Sequence, residues 1–119
     1  MLEIRNIQKL VHNWIITHGV RYFNVLTNTI LLSEEVGEVS RIIARNYGEQ
    51  SQKKDFKNNI EATTSIMDDL GEELADVLFV LICLANQTGI NLEESFNKKL
   101  KKKKIRDHKR HHSNEKLKK

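Results

Sequence analysis

A chain of 119 residues suits one domain around one hydrophobic core, and its length gives no reason to expect a second domain. With 39% hydrophobic and 30% charged residues it lies in the globular range, which excludes a disordered or fibrous chain. The absence of proline and the presence of only five glycines favour long helices over strands and turns, so the expected fold class is all-α. The net charge of +4 divides unevenly: residues 98–119 carry 12 Lys and Arg against Asp107 and Glu115, a net of +10 that leaves the first 97 residues at −6.

In chain order, Ile4, Ile7, Leu10, Val11, Trp14 and Ile15 recur at three- and four-residue spacing and predict a helix over residues 3–18, with Gly19 suited to close it. Tyr22 and Phe23 fall in a connector. A second helix starts between Asn24 and Thr29 and runs to about residue 46. Residues 48–59 are polar and aperiodic, and read as a long loop of the kind that is often functional; Lys53 and Lys54 put it in play as a lid. A third helix begins by residue 68, with Ile60 to Met67 able to extend it backward, and ends at "NQTG" with Gly89 as C-cap. Asn91 can cap a fourth helix from Leu92, with Glu93 and Glu94 favourably placed in its first turn. Beyond Leu100 only Ile105 and Leu117 are apolar, so residues 1–107 read as the domain and 108–119 as a basic, frayed tail.

Cys83 has no partner thiol and sits in an apolar run, which fits a buried, inert cysteine in a reducing cytosol. The N-terminus "MLEIRNIQKLVHNW" lacks a signal-peptide core, and the apolar run 77–85 is too short to cross a bilayer. A cytoplasmic protein with no membrane partner is therefore expected.

The chemistry lies in the carboxylates. On the second helix Val25, Leu32, Val36, Val39 and Ile43 gather within about 40° of one direction, which predicts the core stripe. Glu35 and Glu38 interleave with Leu31 and Ile42 on its flank, whereas Glu34 points with Arg41 and Arg45 toward a more polar side. On the third helix Glu73 and Asp76 open a run of nine apolar residues, so they stand at the mouth of a surface expected to be covered on all sides. A single ExxE is ordinarily a solvated face. Two such pairs facing one another are different: carboxylates about 5 Å apart at an effective dielectric near 20 repel by roughly 3 kcal/mol, so the arrangement calls for a cation. Glu and Asp alone offer hard oxygen donors, which suit Mg²⁺ or Mn²⁺ better than zinc. The Glu-x-x-His pairs of di-iron bundles do not occur in this sequence.

"EEVGE" followed by "EELADVLF" resembles the paired EExxE and ExxD motifs of the MazG-like nucleotide pyrophosphohydrolases, an all-α nucleoside triphosphate pyrophosphatase superfamily. The likeness spans most of residues 20–110, and "RNYGEQ", "DVLFVLICLAN" and "RDHKR" are similar to a small single-domain branch. The resemblance implies a four-helix bundle-like fold, a homodimer or dimer of dimers, and hydrolysis of a nucleoside triphosphate to monophosphate and pyrophosphate. It makes Glu35, Glu38, Glu73 and Asp76 the ligands of Mg²⁺, for which Mn²⁺ can substitute. Glu38, with Glu34 as a further acidic group, is the candidate for orienting the attacking water. Tyr22 and Phe23 are candidates for receiving the base. Where relatives carry an Asn before a terminal Arg this chain has Lys103 and Lys104 before Arg106, so Lys99, Lys102, Lys103 and Arg106 are the candidate phosphate contacts.

Two features have plainer readings, and one alternative function remains. The lysine run is ordinarily a wet helix face. His108, His111 and His112 match no zinc spacing. A nucleic-acid binder working through the basic tail is the alternative function, but the tail has no interleaved aromatics and the body is acidic.

Overall fold

The computed structural model describes residues 3–51 and 60–118. Four helices follow one another: α1 (Ile4–Trp14), α2 (Val25–Tyr47), α3 (Ile60–Gln87) and α4 (Leu92–His112). There is no strand among the described residues. The proposed lid with Lys53 and Lys54 falls at residues 52–59, outside the described residues.

The helix ends follow local chemistry. The Asn24 side chain accepts from the Thr27 amide at 2.8 Å and starts α2, and Asn91 does the same for α4 through Glu94 at 3.2 Å. Gly89, at φ +73°, takes the left-handed conformation that ends α3 without steric cost. α1 does not stop at Trp14 but widens into a π-helical turn over Ile15–Gly19. It then breaks at Val20, where φ +72° and an Arg21 N–H to Gly19 carbonyl bond of 2.8 Å make a tight three-residue turn. A β-branched residue there is strained by about 1–3 kcal/mol, and the turn directs the Arg21–Asn24 connector back over α3.

α2 and α3 form an antiparallel pair, as their contacts show: Asn28 bonds Gln87 at one end, Glu35 meets Asp76 and Glu73 midway, and the Tyr47 hydroxyl reaches the Met67 sulfur at the other. α1 lies along the last turns of α3. Gln8 bonds Asn86, and the Trp14 ring meets Phe79 edge to face with centroids 5.4 Å apart. Val11 of α1 and Ile15 of the π-helical turn bury themselves against Ile82 and Cys83, and Ile82 is fully enclosed.

That core is small, and two sequence-based expectations change with it. The stripe expected to be core on α2 is left half open, with Val25, Val36 and Ile43 each 39–47% exposed. α2 instead turns its flank, Leu31, Glu35 and Ile42, toward α3. α3 is likewise not covered on all sides: Met67, Leu74, Leu78 and Leu81, a stripe at seven-, four- and three-residue spacing, remain exposed. A helix can be apolar all round and still pack on one side when only one small chain surrounds it.

α4 turns through 105° from the direction of α3 and touches α1 near its start, where the Leu92 amide N–H donates to Gln8 Oε1 at 3.0 Å. The radius of gyration, 18.5 Å, exceeds the value of about 13–14 Å for a compact chain of this length, because α4 stands out from the body. Where the sequence predicts fraying, the helix continues to His112. Asp107 holds its outer turns by bonding Arg106 at 2.9 Å and Arg110 at 3.0 Å. No single described helix is long and apolar enough to cross a membrane.

Candidate active site

The antiparallel pairing of α2 and α3 brings Glu35 opposite Glu73 and Asp76, which lie on one face of α3 because they are three residues apart. One carboxylate oxygen from each lies within 4.8 Å of the others; Glu35 and Glu73 are half-buried, and Asp76 is exposed. Every influence on Glu35 pushes its pKa upward. Burial is the largest, followed by the charges of Asp76 and Glu73, a hydrogen bond shared with Glu73, and the charge of Glu38. A carboxyl that is hydrogen-bonded to one carboxylate and crowded by two more favours its protonated form, and nearby positive charge would reverse that preference. Three hard oxygen donors in that condition fit a divalent cation such as Mg²⁺ or Mn²⁺, and they do not fit a soft metal.

This electrostatics has a measurable consequence. A carboxyl whose pKa is higher in the folded state binds protons more readily there than in the unfolded chain, so stability is lost as pH rises through that raised value. In EDTA, the urea midpoint should fall as pH is raised from about 4.5 toward neutrality, and Glu35→Gln should flatten the fall. A midpoint independent of pH over that range in the wild type would contradict the shared-proton geometry. Asp107, held down to about 2 by Arg106, works in the opposite sense; its contribution fades only as pH falls below about 3.8.

Glu38 lies one turn beyond Glu35 on α2 and is outside the group of three, since its carboxylate is bonded by Arg41. Glu34 is exposed on the same helix. Arg41 and Arg45 line a groove of about 220 Å³ with Ile42, Asp69, Glu72 and Glu73. Neither arginine was among the candidates from sequence. Their spacing of four marks a shared face, but only the packed structure turns that face toward α3.

On the other side of the three carboxylates, an apolar cavity of about 300 Å³ opens between Trp14, Tyr22, Phe23, Leu31, Phe79 and Val80. Leu31 and Val80 are each four residues from Glu35 and Asp76, so cavity and carboxylates are separated by one helical turn, about 6 Å. The Tyr22 hydroxyl is bonded to His12 Nδ1 at 2.8 Å and accepts from Asn86 at 3.2 Å. The Phe23 carbonyl accepts from Gln87 Nε2 at 2.8 Å. Both connector residues are thereby tied to the end of α3, an anchorage that sequence spacing does not reveal. Lys99, Lys102 and Lys103 are exposed on α4, and Arg106 is bonded by Asp107; none of the four lines the cavity or the arginine groove of its own chain.

A helical hairpin that gathers hard oxygen donors between an apolar cavity and a groove lined by arginines defines a protein class: an all-α enzyme for phosphate-bearing substrates. Comparison with known proteins gives the family. Residues 23–111 match the MazG nucleotide pyrophosphohydrolase domain, and the chain belongs to that family. It is 36% identical over 104 residues to YpjD of Bacillus subtilis (strain 168), covering 87% of this chain and 86% of that protein. The crystal structure of YpjD from Bacillus subtilis superposes with a TM-score of 0.70 at 34% identity, covering 86% of this chain and 95% of that one. That of the Bacillus-conserved MazG protein, a nucleotide pyrophosphohydrolase, gives 0.67 at 32% identity, covering 86% and 90%.

Proposed function

We propose that the chain is a Mg²⁺-dependent nucleoside triphosphate pyrophosphohydrolase, cleaving its substrate to the nucleoside monophosphate and pyrophosphate, and that Mn²⁺ can replace Mg²⁺. The observation that carries this reading is the convergence of Glu35, Glu73 and Asp76, where burial and the neighbouring carboxylates all push Glu35 toward holding a proton. These three hold the metal, with Glu38 joining them when it releases Arg41. When bound, the cation neutralises phosphate charge and activates water for attack.

The rest is positioning by the chain's own residues. The apolar cavity receives the base beside Tyr22 and Phe23. The triphosphate then runs along the α2–α3 groove past the carboxylates toward Arg41 and Arg45, whose planar guanidinium groups suit phosphate oxygens. Glu38, with Glu34 behind it, orients the attacking water. Lys99, Lys102, Lys103 and Arg106 lie on α4 outside this groove, so their contribution to phosphate binding requires α4 of a second copy.

A homodimer also belongs to this reading. The exposed stripes fall on helical spacings, Val25, Val36 and Ile43 of α2 at eleven and seven residues and Met67, Leu74, Leu78 and Leu81 of α3 at seven, four and three, and two such hairpins can complete a four-helix bundle by burying them. The free, buried Cys83 supports a reducing, cytoplasmic setting. The test is pyrophosphate release from a panel of nucleoside triphosphates. Release with Mg²⁺ that stops in EDTA is expected; no release, or release indifferent to EDTA, would overturn the proposal.

A further inference from the structure

Asn28 is singled out by no sequence motif. It is 4% exposed and forms part of the wall of the apolar cavity. Its amide is fixed by a chain of three hydrogen bonds. The Phe23 carbonyl can only accept, so the group 2.8 Å away must be Gln87 Nε2. That turns Gln87 Oε1 toward Asn28, where it accepts from Nδ2 at 2.7 Å. The second Nδ2 hydrogen points to the Phe23 carbonyl at 3.4 Å. Flipping either amide would set two acceptors against each other, so the orientation is determined.

Both donors of Asn28 are therefore spent, and no described residue donates to its Oδ1. Yet no sealed side-chain nitrogen or oxygen among the described residues lacks a partner. The Oδ1 atom is therefore not sealed, and the cavity is the space whose wall Asn28 helps to form.

We propose that Asn28 Oδ1 reads the base: it accepts a hydrogen bond from an exocyclic amino group, so the site prefers an amino base over its keto counterpart. Cytosine is then favoured over uracil and adenine over hypoxanthine. In each pair the rings are nearly isosteric, and the change replaces an N–H donor by a carbonyl oxygen. In an apolar cavity that puts two acceptors face to face with no hydrogen between them and no room for bulk water to separate them. Asn28 is thus a specificity-determining residue. The inference rests on the reading that this cavity takes the base, and it deepens that reading by naming the substrate class.

The sole tryptophan, Trp14, lines the same cavity and serves as the probe. Its fluorescence is followed while full-length protein is titrated in EDTA with CMP or UMP, and with AMP or IMP, so that the measurement does not depend on hydrolysis. The amino member of each pair should bind at least about tenfold more tightly. Asn28→Leu should bring both members within about twofold. Gln87→Lys places an obligate donor beside Asn28, draws Oδ1 out of the cavity, and should shift the preference toward the keto member.

Equal or reversed affinities in the wild type, or a preference that survives Asn28→Leu in a folded protein, would overturn the proposal. If circular dichroism shows that Asn28→Leu does not fold, the wild-type ratio and Gln87→Lys decide. Absence of saturable binding by any of the four would overturn it by removing the base site itself. Pyrophosphate release by the wild type reports separately on the proposed activity.

Discussion

Asp76→Asn and Glu35→Gln are each expected to reduce pyrophosphate release by at least about 100-fold, since removal of even an indirect partner of a metal ligand typically costs 10–100-fold. The same substitutions should leave the fold intact and, without metal, make it no less stable. Glu35, Glu73 and Asp76 crowd their oxygens within 4.8 Å, and removing one charge relieves a repulsion of about 1 kcal/mol in bulk water, or more at lower effective dielectric. Loss of activity together with an unchanged or higher urea midpoint in EDTA is the signature of a charge cluster built for a cation. A folded variant with full activity would remove the residue from the site.

Leu78→Glu is expected to split the proposed dimer. In a single protomer Leu78 is 44% exposed, and a charge there should alter stability by no more than about 0.5 kcal/mol. In a bundle formed by two hairpins the same position is enclosed, and an unpaired carboxylate costs several kcal/mol, enough to raise the dissociation constant by at least about 100-fold. Sedimentation equilibrium at micromolar protein should show a dimer for the wild type and a monomer for the variant. A monomeric wild type, or a variant that remains dimeric, would contradict the covered stripe.

The helix ends were the most legible part of the fold. Asn24, Asn91 and Gly89 act through local bonds and dihedrals, and local chemistry is what a single sequence displays. The π-helical turn before Val20 left no comparable trace: no side chain caps it, and Ile15 at its start is buried against α3. The second helix shows a further limit. Its apolar stripe identifies a face that wants cover but not which partner supplies it, and the protomer spends the neighbouring flank on α3.

The candidate site divides in the same way. The convergence of Glu35 with Glu73 and Asp76 follows from motif spacing, which the sequence displays, plus the antiparallel packing of α2 on α3, which the sequence left as a condition. That Arg41 occupies Glu38 depends on side-chain rotamers, and the closed orientation of Asn28 depends on a glutamine 59 positions away. Neither has a periodic signal.

In the proposed reading the carboxylates of α2 and α3 hold a divalent cation. Titration of Mn²⁺ followed by electron paramagnetic resonance tests it without reference to any substrate. The free-ion signal should be suppressed by the wild-type protein, restored by excess Mg²⁺, and left nearly unsuppressed by Asp76→Asn. Equal suppression by wild type and Asp76→Asn, or none by either, would contradict it.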